Sequence, residues 1–367
     1  MCGIVGYVGT RSAVDVIIQG LKRLEYRGYD SAGVGLFLGS EFVIRKAEGR
    51  LDNVVKVLEQ SRDRFATARS GIGHTRWATH GRPTTQNAHP HRAGHVALVA
   101  NGIIENYQEI RKRIFDRGHR TASDTDSELL GFLILEKMDQ NGLDLQEAVR
   151  ASFSEIQGAC SIVVVSEKEP GVIVGVRHGS PLAAILDPNG GAMIASDAQP
   201  LVEYSKDVYF LDQGEMVIAT SQGLRFIDLA TGSKVETKKS ELITWNSDAM
   251  DRCGYPHYML KEIHEQPTAL VDTLNGLLDR SDVERMTLAP HPGKRLLDDA
   301  TEIAIVACGS SFHASILGRY WMEKWARIHT SVELASEFRY RDPVLRPGCV
   351  ALGVTQSGET ADTLAAL

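Results

Sequence analysis

Between residues 12 and 25, Val14, Ile17, Ile18, Leu21 and Leu24 recur at helical spacing, so this stretch predicts a helix with one apolar face. Ahead of it, residues 4–8 form a short apolar run punctuated by glycines, the pattern of a strand entering a sheet at the start of the chain. The runs SAGVGLFL (31–38), EFVIRKA (41–47), HVALVA (95–100), CSIVVV (160–165), GVIVGV (171–176), LAAIL (182–186) and YFLDQGEMVIAT (209–220) predict further strands. NYQEIRKRIFDRG (106–118) and SELLGFLILEKM (127–138) predict helices. Many strands, few helices and no strict alternation between them predict a layered α+β domain with sheets packed between helices.

The pattern changes near residue 240. The stretches WNSDAMDRCGYPHYMLKEIHEQP (245–267) and LAPHPGKRLL (288–297) are polar, proline-bearing and poor in strand signal. They predict a connection over 241–295 between one domain at 1–240 and a second at 296–367. Beyond it, EIAIVA (302–307) predicts a strand, SFHASILGRYWMEKWA (311–326) a helix, and SVELA (331–335) and CVALGVT (349–355) two more strands. GETADTLAAL (358–367) begins another helix, so this part predicts the start of a parallel, doubly wound α/β sheet. No internal repeat and no low-complexity segment interrupts either half.

Composition narrows the partners more than the fold. With 40 Lys and Arg against 47 Asp and Glu, the formal charge of −7 argues against nucleic acid as the main partner. Apolar residues at 43% and charged residues at 24% describe a soluble globular protein. No apolar run approaches the length of a membrane span, and Arg11 and Asp15 interrupt the apolar core that a signal peptide needs. Five scattered cysteines without a CxxC pair predict free thiols in a reducing cytoplasm rather than a disulfide framework.

Cys2 is the first candidate for chemistry. Removal of Met1 would give it a free α-amino group, with an unperturbed pKa of about 8, beside a thiol at about 8.5. Such a residue carries its own base and needs no catalytic histidine. It reads equally as a small buried hydrophobe. Next comes GHTRWATHG (73–81), followed by NAHPH (87–91). Five histidines in a short span, His74, His80, His89, His91 and His95, invite a zinc reading. Neither a cysteine nor a clear carboxylate accompanies them, and no HxxxH pair falls on a predicted helix, so no metal is expected. Recognition of a small ligand is the more economical use: Arg76 can fork onto a carboxylate, Thr79 can add a hydroxyl bond and Trp77 can cover the pocket. In ALVANGIIENY (97–107), Asn101 and Gly102 offer a side-chain amide beside a glycine N–H, the donor pair of an oxyanion hole. The same two residues also read as an ordinary Asn-Gly turn. Asp126, in SDTDSELL (123–130), is a natural helix N-cap and also a carboxylate able to hold the ammonium group of an amino acid.

Together these residues fit thiol attack on an amide, with an oxyanion held beside it and an amino acid's α-groups clamped. Residues 2–6, LEYRGYDSAG (24–33), HTRWATHG, NAHPH, NGIIEN and TDSE resemble the N-terminal-nucleophile glutaminase domain, an αββα sandwich that purine and asparagine amidotransferases share in part. The second domain chooses among them. ACGSS (307–311) and TQSGET (355–360) each join a strand to a helix and set hydroxyls and N–H groups at the helix start, a ready anion site. Two such loops at successive strand ends resemble a sugar-isomerase (SIS) domain. HYMLKEIHEQP (257–267) and ASEFRYR (335–341) extend the likeness, and the whole sequence resembles the family of isomerizing glutamine:fructose-6-phosphate aminotransferases. The resemblance implies Cys2 as nucleophile with its amine as base, and Asn101 and Gly102 as oxyanion hole. It also implies Arg76, Thr79, His80 and Asp126 around glutamine, with Trp77 gating ammonia. Cys308, Gly309, Ser310, Ser311, Thr355, Gln356, Ser357 and Thr360 are then expected around fructose 6-phosphate, with neither metal nor organic cofactor, in a homodimer.

That family carries a complete SIS domain, a second one and a C-terminal tail, whereas this sequence stops at Leu367. The chain is therefore expected to be a fragment that keeps mainly the glutamine-hydrolysing half. Two rival readings stand beside it. One is a glutaminase serving another acceptor, which a sugar-phosphate binding assay separates. The other is a non-enzymatic regulator that binds a sugar phosphate, against which the intact Cys2, Arg76, Asn101 and Asp126 argue.

Overall fold

The start of the chain follows its pattern: β1 (Gly3–Gly9) leads into α1 (Ala13–Leu24), whose Val14, Ile17, Ile18, Leu21 and Leu24 are all buried. The structure is a computed structural model that describes residues 2–78, 81–244, 254–277, 300–356, 358 and 360–367. It divides into two units, Met1–Asp251 and Arg252–Leu367. In the first, β2 (Ser31–Leu38), β3 (Glu41–Glu48), α2 (Leu51–Glu59), α3 (Arg62–Ala66), β4 (Ser70–Arg76), β5 (His91–Ala93) and β6 (Val96–Gly102) follow. Three helices come next, α4 (Tyr107–Asp116), α5 (Ser127–Asn141) and α6 (Leu145–Phe153). The strands β7 (Cys160–Ser166), β8 (Ile173–Arg177), β9 (Ala183–Leu186), β10 (Gly191–Ala195), β11 (Asp207–Phe210), β12 (Glu215–Thr220), β13 (Gly223–Asp228) and β14 (Glu241–Leu242) close the unit.

Among the described residues these strands form two antiparallel sheets, ordered β14-β11-β9-β10-β1-β4-β2-β3 and β13-β12-β8-β7-β6-β5. Strand alternation assigns their faces. On β6, Val96, Leu98 and Ala100 pack with α4, α5 and α6, while Ala97 and Val99 turn inward to meet Ile4, Val8 and Ile72 of the other sheet. On β1, Val5 and Tyr7 pack with residues of α1, α2 and α3. The result is helix, sheet, sheet, helix, the layered sandwich that the sequence predicts. Both faces of β2, β6 and β7 are buried, so these strands read as near-continuous apolar runs. Each large side chain in the middle layer, such as Ile4 or Ile72, contributes about 1.5–3 kcal/mol by leaving water.

Three sequence expectations change. Residues 209–220 are not one strand: β11 and β12 lie in different sheets, separated by a polar turn in which Glu215 N–H donates to Asp212 C=O at 3.1 Å. The polar Asp212-Gln213-Gly214 triplet is the turn signal that outweighs the flanking apolar pattern. Asn101 and Gly102 form no hairpin turn either; they are the last two residues of β6, paired with Ser161 and Cys160. Finally, part of the expected connection is helical, α7 (Tyr258–Leu277), and 245–253 and 278–299 lie outside the described residues.

In the second unit, β15 (Glu302–Ala307), α8 (Gly309–Trp321), β16 (His329–Leu334), α9 (Ala335–Phe338), β17 (Cys349–Val354) and α10 (Ala361–Ala365) follow α7. The three strands form a parallel sheet with β15 in the centre, as the β-α-β-α pattern predicts.

Candidate active site

The inner layer of apolar side chains ends in a polar rim. On β4, Ile72 points into the layer between the sheets, so His74 and Arg76, two and four residues on, share its face. On β6 the same rule puts Asn101 in line with Ala97 and Val99. Cys2 directly precedes β1, which pairs with β4 through Gly3–Thr75 and Ile4–His74. The four residues therefore meet although they come from three strands of two sheets.

Hydrogen bonds hold them in register. The Asn101 amide donates from Nδ2 to the Cys2 carbonyl at 3.0 Å, and its Oδ1 lies 3.0 Å from His74 Nε2. Trp77 N–H donates to Cys2 Sγ at 3.2 Å. Ile103 N–H donates to Ala159 C=O in the β6–β7 ladder at 2.7 Å, so by alternation Gly102 N–H faces the opposite edge, past β5, which pairs only with residues 96–98. Gly102 has φ +141°, and a Cβ there would meet Ala159 O at 1.9 Å, which excludes any side chain. Asp126 occupies the N-cap position of α5 without a capping bond; instead its Oδ2 accepts from Ile104 N–H at 2.6 Å. Arg76 is buried and donates to the carbonyls of Arg82 and Gly81 at 3.3 and 3.5 Å. Trp77 is exposed and packs edge-on against Tyr29 at 5.5 Å.

Electrostatics follow from burial. It pushes the Cys2 thiol up, against the Trp77 hydrogen bond and the charge of Arg76. Burial also lowers His74 to about 4 and holds His89 and His91 well below the ordinary imidazole value, so all three rings are neutral near pH 7. The His74 and His89 rings stack with centroids 4.3 Å apart, and the His91 ring lies 4.2 Å from that of His89, tilted by 59°. His89 Nδ1 accepts from Ala100 N–H at 3.1 Å, and His91 Nε2 lies 2.9 Å from Thr125 Oγ1. His95 instead pairs with Asp139 and Ser166. Among the described residues no cluster of His, Cys, Asp and Glu is arranged to hold a metal ion.

Cys2, Arg76, Trp77, Asn101, Gly102 and Asp126 line one cavity of about 230 Å³. It presents a thiol, two neutral donors, a guanidinium and a carboxylate, the complement of an amino acid whose side chain ends in an amide. Thr79 and His80 lie outside the described residues. Sequence reasoning gave no pocket role to His74, His89, Thr125, Ser127 or Ser180, which also line the cavity. The two-residue spacing of His74 and Arg76 on one strand was the available signal for the first; nothing marks Ser180.

In the second unit, β15 and β17 are neighbours with Ala307 opposite Val354, so the loops after them leave the same sheet edge. Cys308 takes the N-cap position of α8, with Gly309, Ser310 and Ser311 in its first turn. Thr355 and Thr360 share a hydroxyl–hydroxyl bond of 2.9 Å, Gln356 is exposed between them, and Ser357 lies outside the described residues. The two Ser/Thr loops are thus brought side by side.

The family model described as glutamine amidotransferase domain matches residues 74–203, and that of the SIS domain matches 296–367. This chain carries a glutamine amidotransferase domain and an SIS domain. Its whole length is related to the glutamine--fructose-6-phosphate aminotransferases (isomerizing): 44% identity to the Streptomyces coelicolor protein over 372 residues and 44% to the Chlorobaculum tepidum protein over 373. All of the chain is covered in both cases, but it spans only 59% and 60% of those relatives' length. A solved structure of glutamine phosphoribosylpyrophosphate amidotransferase from B. subtilis matches 94% of the chain and 69% of its own, with a TM-score of 0.55 at 18% identity, a likeness of fold. The amidotransferase match contains every pocket residue named above except Cys2.

Proposed function

We propose that the chain releases ammonia from glutamine at Cys2, and that the protein it belongs to passes this ammonia to fructose 6-phosphate, giving glucosamine 6-phosphate and glutamate. The observation that carries the reading is the convergence of Cys2, Arg76, Asn101, Gly102 and Asp126 on one cavity from three strands and a helix start. Residues 1–240 are assigned to the glutaminase, 241–295 to the connection and 296–367 to the SIS part.

In this reading Met1 is removed and the α-amino group of Cys2 takes the thiol proton. Sγ attacks the side-chain carbonyl carbon of glutamine, forming a C–S bond and moving charge onto oxygen. Asn101 Nδ2 and Gly102 N–H receive that charge, each such donor being worth about 10²–10³ in rate. As the tetrahedral species collapses, the C–N bond breaks and the ammonium proton goes to the departing amine, which leaves as ammonia. Water then cleaves the thioester to glutamate. Arg76 pairs with the α-carboxylate and Asp126 with the α-ammonium, so a substrate lacking either group loses its anchor. Thr79 and His80 complete the glutamine site and Trp77 covers it. A raised thiol pKa suits this scheme, because an amine base beside the sulfur replaces a standing thiolate.

The acceptor rests on the paired loops of the second unit, where Cys308, Gly309, Ser310, Ser311, Thr355, Gln356, Ser357 and Thr360 are assigned to the sugar phosphate. Cys2, Cys160, Cys308 and Cys349 are all free thiols, which fits a reducing compartment such as the cytoplasm. Among the described residues no helix is long and apolar enough to cross a membrane.

The test is glutamate release by purified wild-type and Cys2→Ser protein, with intact mass and circular dichroism of both. Hydrolysis by wild type, none by Cys2→Ser at unchanged fold, and a mass lacking Met1 are expected. Near-wild-type hydrolysis by Cys2→Ser removes Cys2 from the chemistry. For the acceptor, calorimetric binding of fructose 6-phosphate that is lost in Ser311→Ala and Thr355→Ala is expected.

A further inference from the structure

His74 has no part in the scheme above, yet its ring is fully buried beside the oxyanion donor. Its Nε2 lies 3.1 Å from Ala100 C=O and 3.0 Å from Asn101 Oδ1. The carbonyl can only accept, so Nε2 carries the proton and Nδ1 does not. The Asn101 amide is thereby oriented: Oδ1 faces the imidazole N–H and Nδ2 faces the Cys2 carbonyl. Turned by 180°, the amide would set its oxygen against the Cys2 carbonyl, with no proton between them, and present an acceptor where an oxyanion needs a donor. His89 stacks on this ring at 17° and accepts Ala100 N–H, so the two imidazoles grip the N–H and C=O of the residue before Asn101.

The cost of this arrangement is visible. His74 Nδ1 is buried and has no hydrogen-bond partner among the described residues. An apolar side chain would fill the same space without burying an unsatisfied acceptor, so packing alone does not explain an imidazole here.

We infer that His74 is a positioning residue for glutamine hydrolysis: its Nε2–H locks the Asn101 amide with Nδ2 directed as oxyanion donor. The inference rests on the glutaminase reading and deepens it. His74 touches neither glutamine nor Cys2 Sγ in this role, so its removal lowers kcat and leaves glutamine binding and the reactivity of the thiol in place.

The experiment uses the full chain and compares wild type, His74→Leu, His74→Gln, His74→Asn, Asn101→Ala and the His74→Leu/Asn101→Ala double variant. Glutamate release gives kcat and KM, iodoacetamide alkylation reports Cys2, and thermal melting reports the fold. His74→Leu is expected to lose about tenfold to a hundredfold in kcat, with KM and alkylation within about threefold of wild type. His74→Gln restores most of kcat because its amide N–H reaches the Nε2 position, whereas His74→Asn, whose shorter side chain reaches only the Nδ1 position, does not. In the Asn101→Ala background, His74→Leu should change kcat by less than about twofold, since its effect passes through the missing amide. A kcat for His74→Leu within about twofold of wild type, or a full additional loss in the double variant, overturns the inference. If His74→Leu melts below the assay temperature, the Gln and Asn variants decide: equal losses in both overturn it. Retention of kcat by Asn101→Ala overturns the oxyanion assignment itself and this inference with it, an outcome distinct from loss in Asn101→Ala without loss in His74→Leu.

Discussion

Arg76 has to serve two masters. Its guanidinium is buried and already donates to the carbonyls of Arg82 and Gly81, and burial pulls its pKa down, yet it also lines the cavity. The planar fork resolves this, because five donors in one plane can hold the loop on one edge and a carboxylate on another. A lysine keeps the charge and loses the second edge. Arg76→Lys should therefore raise KM for glutamine by an amount equivalent to about 1–3 kcal/mol, with a smaller change in kcat, read from steady-state glutamate release. An unchanged KM would take Arg76 out of the substrate site. Cys2 shows the opposite economy: one backbone N–H, from Trp77, and the nearby Arg76 charge partly offset the burial that holds its thiol protonated.

At the scale of elements, three histidines tie β4, the loop before β5 and β5 itself into one cluster of rings against β6. Each is buried and neutral, with its folded pKa depressed below the ordinary value of about 6.5. A depressed histidine contributes stability that is fully present above the unfolded pKa. It is lost as pH falls through the window below that value, because the unfolded chain then binds the proton and the folded one does not. The urea midpoint should hold steady from pH 8 to about 7 and fall between about 6.5 and 4, each histidine adding up to about 1.4 kcal/mol per pH unit. Replacing His91 by Phe should flatten that slope; an unchanged slope would show that the histidine cluster does not bear on acid stability. Elements of this kind were only partly legible in sequence. The apolar runs of β2, β6 and β7 and the periodic face of α1 declare themselves, because two buried faces leave no polar interruptions. Ser70–Arg76 does not, although it is central, because glycines at 71 and 73 stand where β-branched residues would signal a strand. A Cβ on Gly73 would lie 2.4 Å from Ile17 Cγ2, so the close approach of α1 requires what hides the strand. Asn101-Gly102 misled in the other direction, its turn chemistry marking a strand end that lines the cavity. That Cys2, Arg76 and Asp126 belong together was legible, and they line one cavity; Ser180 was not, since only tertiary structure brings its loop to the pocket.

At the scale of the whole molecule, the cores divide as the sites do. Among the described residues, three large buried clusters lie in the first unit and include residues of the strands that build the cavity. The second unit's described cluster consists of Ala304, Val306, Ala335 and Phe338, all around one sheet. Its surface carries Leu317, Tyr320, Trp321, Trp325, Tyr340 and Val344, each more than half exposed. Apolar area removed from water is the main source of stability, so the two units differ widely in what holds them together. Calorimetry should therefore show two transitions, with the second unit unfolding at the lower temperature. The ligands offer a way to assign them, since a compound that binds only one folded unit stabilises that unit by about 2.7 kcal/mol at a hundredfold excess over its Kd. With Cys2→Ser protein, which retains the pocket without the thiol, glutamine should raise the upper transition and leave the lower one in place. Fructose 6-phosphate should do the reverse, acting through the loops at 308–311 and 355–360. A single transition shifted equally by both ligands would show that the two units melt as one body, and the division of labour between them would have to be sought elsewhere than in their separate cores.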